Sequence, residues 1–351
     1  MKSMKFGIVT TTIHIPKLLE DYMSIGRHYK VNDLLFVVAG DAKTPSKCKS
    51  FCKELQDKMG YETVYMGLEE QHSEYPKLAK YIPKNTVSRR DFAILKAYEM
   101  GTDIIIMIDD DNFPQLNKNY FKGHSLVGGM QYLNIVESKN GFFNVCSTLS
   151  EKNKAKFFHR GFPFNFREEI PEIKIYRRNV KIALNEGLWI GAPDTDAISW
   201  INWPDLQVTG YLRELYGEIF ALASNTWSPV NSQNTAIMRE AIPSYFLNPF
   251  HYRYDDIWAG YIFEKVAKHL GYFISFGEPL IEQWRNPHNY LLDLNKEFDG
   301  MARTPSLINE LRRINLESKS FIDSIEELIG LLPLQFRDIK KGYQIWLQHF
   351  L

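Results

Sequence analysis

The chain has 351 residues, with Lys+Arg 42 balancing Asp+Glu 42 and a formal charge of zero. That balance excludes a general nucleic-acid binder, which would carry a basic excess, and 44% hydrophobic with 14% aromatic residues excludes a disordered chain. There is no apolar run long enough to span a bilayer and no apolar leader followed by small residues, so the chain is expected to be soluble and cytoplasmic.

The first third alternates strand and helix signals. "FGIVTTT" (6–12) is a short β-rich run, and "PKLLEDYMSIGRHY" (16–29) has helical spacing and opens on Pro, which suits a first helical turn. "DLLFVVAGD" (33–41) is a continuous apolar run stopped by Gly-Asp, the pattern of a strand buried on both faces. "SKCKSFCKELQDKMG" (46–60) reads as an exposed, Lys-rich helix ending at Gly. Its Cys48 and Cys52 have no His or further Cys beside them and read, with Cys146, as reduced thiols. "YETVYMG" (61–67) is a third strand, "SRRDFAILKAYEMG" (88–101) a helix stopped by Gly101, and "DIIIMI" another buried strand.

This alternation argues for βαβ units and a mostly parallel sheet, in which ligands sit at the carboxyl ends of the strands. Thr10, Thr11 and Thr12, then Asp41, then Asp109, Asp110 and Asp111 fall at such ends. Neither a G-x-G-x-x-G turn nor a phosphate-binding P-loop occurs, which disfavours dinucleotide and P-loop readings. From about 115 to 300 the pattern is irregular and rich in Trp, Pro, Asn and Phe, and "HYRYDDIWAGYIFEKVAKHLG" (251–271) turns from loop to helix near Asp255 or Asp256. Residues 301–351 read as helical.

The stretch "DIIIMIDDDNFP" poses the sharpest question, because adjacent carboxylates repel and burying them unpaired is costly. A D-x-D at the end of a buried strand suits a hard cation, Mg²⁺ or Mn²⁺, shared with substrate phosphates. The plainer alternative is a loop of solvated acids.

"VYMGLEEQHSEYPKLAKYIPKNTVSRRDFAILKAYEMGTDIIIMIDDDNFP" and "VVAGDAKTP" (37–45) resemble the STELLO-type glycosyltransferase domain. "HRGFPFNFRE" (159–168), "GLWIGAPDTDA" (187–197) and "RYDDIWAGY" (253–261) resemble the reversibly glycosylated polypeptides, a family that includes UDP-arabinopyranose mutases. Together the resemblances cover about 10–300. They imply a GT-A-type nucleotide-diphospho-sugar fold: α/β, with a Rossmann-like, mostly parallel sheet flanked by helices. Its nucleotide-binding half would be 1–114, its sugar and acceptor half 115–300, and 301–351 a C-terminal helical extension.

The resemblance also implies roles. Thr10, Thr11, Thr12 and Asp41 would line the nucleoside pocket, and Arg89 and Arg90 would lie near the diphosphate. Asp109 would face ribose or metal, Asp111 would chelate the metal, and Asp110 would point elsewhere in the donor site. His288, in "EPLIEQWRNPHNYL" (278–291), is a candidate third ligand or a structural histidine. Asp256, or Asp255, would act as general base on an acceptor hydroxyl, or would only stabilise its helix start. Asp194 and Asp196 would form a sugar- or acceptor-contacting loop, and Trp189 would be a sugar-facing or a core residue. Arg160 matches the arginine that is glycosylated in the second family, and Arg167 a second arginine that matters there.

The expected activity is a metal-dependent glycosyltransferase using a nucleotide-diphospho-sugar, UDP by resemblance, and a glycan, lipid-linked or small-molecule acceptor. The alternative is a UDP-sugar pyranose/furanose mutase. A nucleotidyltransferase and a non-catalytic sugar-nucleotide-binding protein are the other classes. The apolar faces of "SFIDSIEELIGLL" and "KKGYQIWLQHFL" would pack on the domain, or make a homo-oligomer or peripheral membrane contact.

Overall fold

The computed structural model describes residues 4–285 and 288–351. Its first part is the expected alternation: β1 (Phe6–Thr12), α1 (Leu19–His28), β2 (Leu34–Gly40), α2 (Cys48–Met59), β3 (Glu62–Met66), α3 (Leu68–Glu74), α4 (Pro76–Tyr81), α5 (Arg90–Glu99) and β4 (Ile104–Ile108). These strands pair in parallel in the order β3-β2-β1-β4. β2 and β4 are buried along their whole length, which is why their sequences are apolar without alternation. α2 departs from expectation: Cys48 and Cys52 are buried, and only its outer face is Lys-rich. All three cysteines are free.

The second part holds β5 (Asn112–Pro114), α6 (Tyr120–His124), β6 (Met130–Ser138), β7 (Leu149–Glu151), β8 (Ile173–Gly191), α7 (Ala197–Asn202), β9 (Val208–Tyr211), α8 (Arg213–Tyr216), β10 (Ile219–Leu222) and β11 (Asn234–Met238). It continues through α9 (Asp255–His269), β12 (Tyr272–Gln283), α10 (Tyr290–Arg313), α11 (Phe321–Leu331) and α12 (Arg337–Trp346). β11 runs antiparallel to β4, with Asn234 opposite Ile108, and β8 runs antiparallel to β11. The fold is therefore α/β, but the all-parallel portion ends at β4 and the rest of the sheet is mixed.

β8 organises that mixed part. Its first half pairs antiparallel with β6 and its second half in parallel with β12, while β10 joins β6 to β12, so the four strands close a ring. The register brings the carboxyl ends of β1, β2, β4, β8 and β12 to one edge, together with the amino end of β11.

The boundary expected at 300/301 falls inside α10. Beyond it, the chain folds back onto the sheet domain. Trp346 is fully buried, donates from Nε1 to the carbonyl of Pro243 (3.1 Å) and stacks on Phe246 at 5.4 Å. The Tyr343 hydroxyl donates to the Ser244 carbonyl (2.9 Å). The apolar face of α12 is thus spent on packing. No described helix is long and apolar enough to cross a membrane.

If the tail is part of the core, Trp346→Ala should cost about 3–5 kcal/mol in urea unfolding. Leu334→Ala, at a side chain 82% exposed, should cost less than about 0.5 kcal/mol.

Candidate active site

The aspartates that end β4 are held in three different ways. Asp109 is paired with the buried Arg90 guanidinium, which also donates to the carbonyl of Ser232 (2.8 Å). Asp110 accepts the hydroxyl of Thr12 (2.6 Å) from the end of β1. Asp111 accepts only the Asn112 side-chain amide (3.1 Å) on one oxygen, and has no cationic partner within ion-pair distance among the described residues. Burial, together with the charges of Asp109 and Asp110, pushes the Asp111 carboxyl up to about 7.

At the neighbouring strand ends, the Thr11 hydroxyl donates to the Ala39 carbonyl (2.9 Å) and the Thr10 hydroxyl to the Thr11 carbonyl (3.2 Å). Asp41 accepts the backbone N–H groups of Ala42 (2.6 Å) and Thr86 (3.2 Å), with Arg89 Nε 3.5 Å away. Arg89 also donates to Gln71 and to the Ile82 carbonyl, so it braces the β2 end. Both arginines of "SRRD" therefore point inward, Arg90 behind Asp109 and Arg89 behind Asp41.

The densest cluster lies where β8 ends and α9 begins. Arg160 sits between two carboxylates and uses all five of its N–H donors. Nε and Nη2 donate to Asp194 (3.0 and 2.9 Å), Nη1 and Nη2 donate to Asp256 (2.9 and 2.9 Å), and Nη1 also reaches the Arg253 carbonyl. Burial works against its charge, but Asp194 and Asp256 outweigh that and hold the guanidinium protonated. Asp194 is likewise drawn well below the usual carboxylate range, because Arg160 more than offsets its burial. In this arrangement Arg160 is a fixed cation with every N–H donor engaged.

Asn231 and Ser232, just before β11, complete the cluster. The Asn231 amide donates to Asp194 (2.9 Å) and the Ser232 N–H to Asp256 (3.1 Å). Ser232 contacts both Asp256 and Arg90, so a continuous polar chain runs from Arg160 to Asp109. Behind it, His159 places Nδ1 2.8 Å from the Arg160 carbonyl and Nε2 2.8 Å from Glu186, both fully buried. Both ring nitrogens face acceptors, so burial is outweighed by Glu186 and the imidazole stays protonated above its ordinary range. His159, Glu186, Asn231 and Ser232 were not singled out from sequence; the only signal was that His159 adjoins Arg160.

The other expected residues fall nearby with altered partners. Asp194 and Asp196 lie on a loop, as expected, but that loop directly follows the 19-residue strand β8. Arg167 pairs with Asp196, which also caps α7 by accepting the Ser199 N–H (2.8 Å), so this pair locks the loop. Asp255 accepts the Ser88 hydroxyl (3.0 Å) and is pushed up to about 7 by burial and by Asp256. Trp189 is fully buried, a core residue. His288 lines a cavity of about 470 Å³ at the ends of β8 and β12, with Gly191, Trp200, Gln283, Trp284 and Arg285. Its Nδ1 lies 2.7 Å from Asp293.

Among the described residues no three His, Cys, Asp or Glu side chains converge on one metal position, so His288 does not complete a protein-only site with Asp109 and Asp111. The donor set still suits Mg²⁺ or Mn²⁺, which commonly take one or two carboxylates and leave other positions to water and phosphate oxygens. Asp111, unpaired and with its proton held too tightly, is the carboxylate that a cation would relieve most.

The structure thus defines an α/β protein with acids and paired arginines gathered at the strand ends. The family model of the reversibly glycosylated polypeptides matches residues 68–330, and the chain belongs to that family. The match takes in the aspartate run, Arg160 and part of the tail, for which no counterpart was apparent from sequence. Probable UDP-arabinopyranose mutase 1 of Pisum sativum is 26% identical over 263 residues, covering 70% of this chain and 66% of that protein. UDP-arabinopyranose mutase 1 of Arabidopsis thaliana is 28% identical over 204 residues, covering 56% and 52%. The chain thus matches between about half and two-thirds of the length of these relatives. Among solved structures, GalNAc-T7 with UDP, GalNAc and Mn²⁺ has a TM-score of 0.42 at 10% identity over 98% of this chain and 59% of that one. Mannosyltransferase PcManGT from Pyrobaculum calidifontis with GDP-Man and Mn²⁺ has a TM-score of 0.36 at 8% identity over 99% and 86%.

Removing Arg160 would leave two buried carboxylates uncompensated. Arg160→Ala should lower the unfolding free energy at pH 7 by about 3–5 kcal/mol. Asp194, whose carboxyl is depressed in the native state, contributes stability that is present above its unfolded pKa of about 4 and is lost on acidification. The gap between wild type and variant should therefore narrow below about pH 4, as followed by urea titration across pH.

Proposed function

We propose that the chain is a UDP-sugar mutase of the UDP-arabinopyranose type, interconverting pyranose and furanose forms of a nucleotide-bound sugar. One observation carries this reading. Arg160, in the family's "HRGFPF" segment, is fixed at the strand ends and joined through Asp256, Ser232 and Arg90 to Asp109 of the aspartate run. The family of the relatives' names and the site's own wiring thus point to the same group of residues.

Ring exchange requires the bond between the anomeric carbon and the phosphate oxygen to break and re-form while one of the sugar's own hydroxyls replaces the ring oxygen, which becomes a hydroxyl; no external acceptor is consumed. The leaving diphosphate needs its charge held in place and the sugar needs a fixed polar wall. Asp109 and Asp111, at the strand ends, would hold the cation that serves the first need. The Arg160–Asp194–Asp256 cluster, rigid and fully hydrogen-bonded, serves the second by presenting preorganised dipoles that do not have to reorganise during reaction. A divalent cation held by Asp111 and Asp109 would supply Lewis-acid neutralisation of the diphosphate.

The glycosyltransferase favoured by the sequence differs in needing a base for an external hydroxyl. Asp256 is bidentate to Arg160, and Asp255 accepts the Ser88 hydroxyl and the Asp256 N–H, so both carboxylates are already engaged by the protein. This favours the mutase.

Incubation with UDP-arabinopyranose and Mn²⁺, followed by NMR, should yield UDP-arabinofuranose. Transfer of arabinose to an added acceptor, with no furanose isomer, would overturn the mutase reading. Mn²⁺-supported UDP binding should also depend on pH. Asp111 holds its proton up to about pH 7, and a cation must displace it. Affinity should rise about tenfold per pH unit below 7 and level off above about pH 8, a dependence that Asp111→Asn should flatten.

A further inference from the structure

Arg160 and Arg285 are equally enclosed, each side chain 9% exposed, yet they are satisfied in opposite ways. Arg160 spends every donor on protein oxygens. Arg285 Nε is buried with no hydrogen-bond partner among the described residues, and its terminal nitrogen approaches Asp293 only to 3.8 Å. A buried guanidinium with idle donors is costly unless an acceptor arrives from outside.

Its head group is nevertheless held in place. The guanidinium lies 4.8 Å above the Trp200 ring and 6.0 Å from Tyr290, and those two rings stack on each other at 5.8 Å. The backbone fixes where it points. The N–H of Trp284 donates to the carbonyl of Asp111 (3.2 Å), which pins the end of β12 to the aspartate run one residue before Arg285. Arg285 lines the cavity of about 470 Å³ at the ends of β8 and β12. Its charge eases the proton off Asp111, and Asp194 in turn favours the charged guanidinium.

We propose that Arg285 is the donor-diphosphate clamp of this site: its planar fork, preset over Trp200, takes the phosphate oxygens that leave with the nucleotide. The assignment rests on the proposed nucleotide-sugar site and adds to it the protein cation that faces the cavity. Arg89 and Arg90, the arginines expected there from sequence, are committed behind Asp41 and Asp109. The clamp explains why an arginine is enclosed in aromatic walls with its Nε unpartnered among the described residues. It also provides a cation for the diphosphate that does not depend on metal.

The test is calorimetric titration of the full chain with UDP and with uridine, each in the presence of Mn²⁺, for wild type, Arg285→Ala and Arg285→Lys. Charge-assisted hydrogen bonds to a diphosphate predict that Arg285→Ala weakens UDP binding by about 10–100-fold while uridine affinity stays within about twofold. Arg285→Lys should recover part of the loss, since it keeps the charge but not the fork. UDP affinity unchanged in Arg285→Ala would overturn the clamp. Equal loss of UDP and uridine would overturn it as well, marking Arg285 as a structural support of the pocket. A wild-type chain that binds neither UDP nor uridine would instead sink the nucleotide-sugar reading on which the clamp stands. Circular dichroism melts of the three proteins separate an unfolded variant from a binding defect, and Arg285→Lys carries the comparison if Arg285→Ala does not fold.

Discussion

One guanidinium shared by two buried carboxylates sets the geometry of the whole site. Arg160 is held on a loop between β7 and β8, Asp194 comes from the loop after β8, and Asp256 from the first turn of α9. Three segments far apart in sequence therefore meet at a single planar group. A buried ion cluster of this kind adds little net stability over an apolar equivalent, because desolvating three charges offsets their attraction. Its physical contribution is orientation. Bidentate bonds on two sides leave the guanidinium one position, and that position then dictates where β8 ends, where α9 starts, and where Ser232 can sit between Asp256 and Arg90.

That constraint propagates in two directions. Through Ser232 and Arg90 it reaches Asp109, so the first of the three acids is compensated from below. Through its own backbone carbonyl it reaches His159, which is locked between that carbonyl and Glu186. The left-handed Gly161 (φ +85°) follows directly, and a Cβ there would meet Ile257 of α9 at 2.3 Å. The chain can turn under α9 at this point only because residue 161 is glycine, which brings the "HRG" segment close enough for Arg160 to reach Asp256.

The front of the fold was readable because its signals are local. β1, β2 and β4 are unbroken apolar runs, their helices end at glycines, and the aspartates follow β4 directly, so strand ends and acid positions could be placed without knowing any long-range contact. β8 was not readable as a single strand, because its character changes along its length. Residues 174–179 are mostly exposed or half-buried and basic, whereas 182–189 are buried throughout, and no one periodicity spans both. Partner choice was equally hidden. Sequence placed Arg89 and Arg90 near the donor and Asp194 and Asp256 as separate candidates, but which charge meets which is decided by how distant loops stack. His288 and Arg285 show the same limit: they lie in one short turn-rich stretch, and only the stacking of Trp200 on Tyr290 tells which of the two carries a buried, unspent charge.

The three aspartates now separate by what balances them. Asp109 has a full cation in Arg90, Asp110 has a neutral hydroxyl from Thr12, and Asp111 has one amide and two like-charged neighbours. Added positive charge therefore gains most at Asp111, where repulsion is unrelieved, and least at Asp109, where Arg90 already occupies one oxygen. Electrostatic repulsion falls with distance and is strongest where water is excluded, so the gain is concentrated at the half-buried end of β4. The same asymmetry orders the arginines: those behind the acids already donate from their terminal nitrogens to protein oxygens, and the one in front makes no hydrogen bond among the described residues. A site wired in this way favours a ligand that brings negative oxygens toward Arg285 and positive charge toward Asp111 at once, which is the charge pattern of a diphosphate carrying a divalent cation.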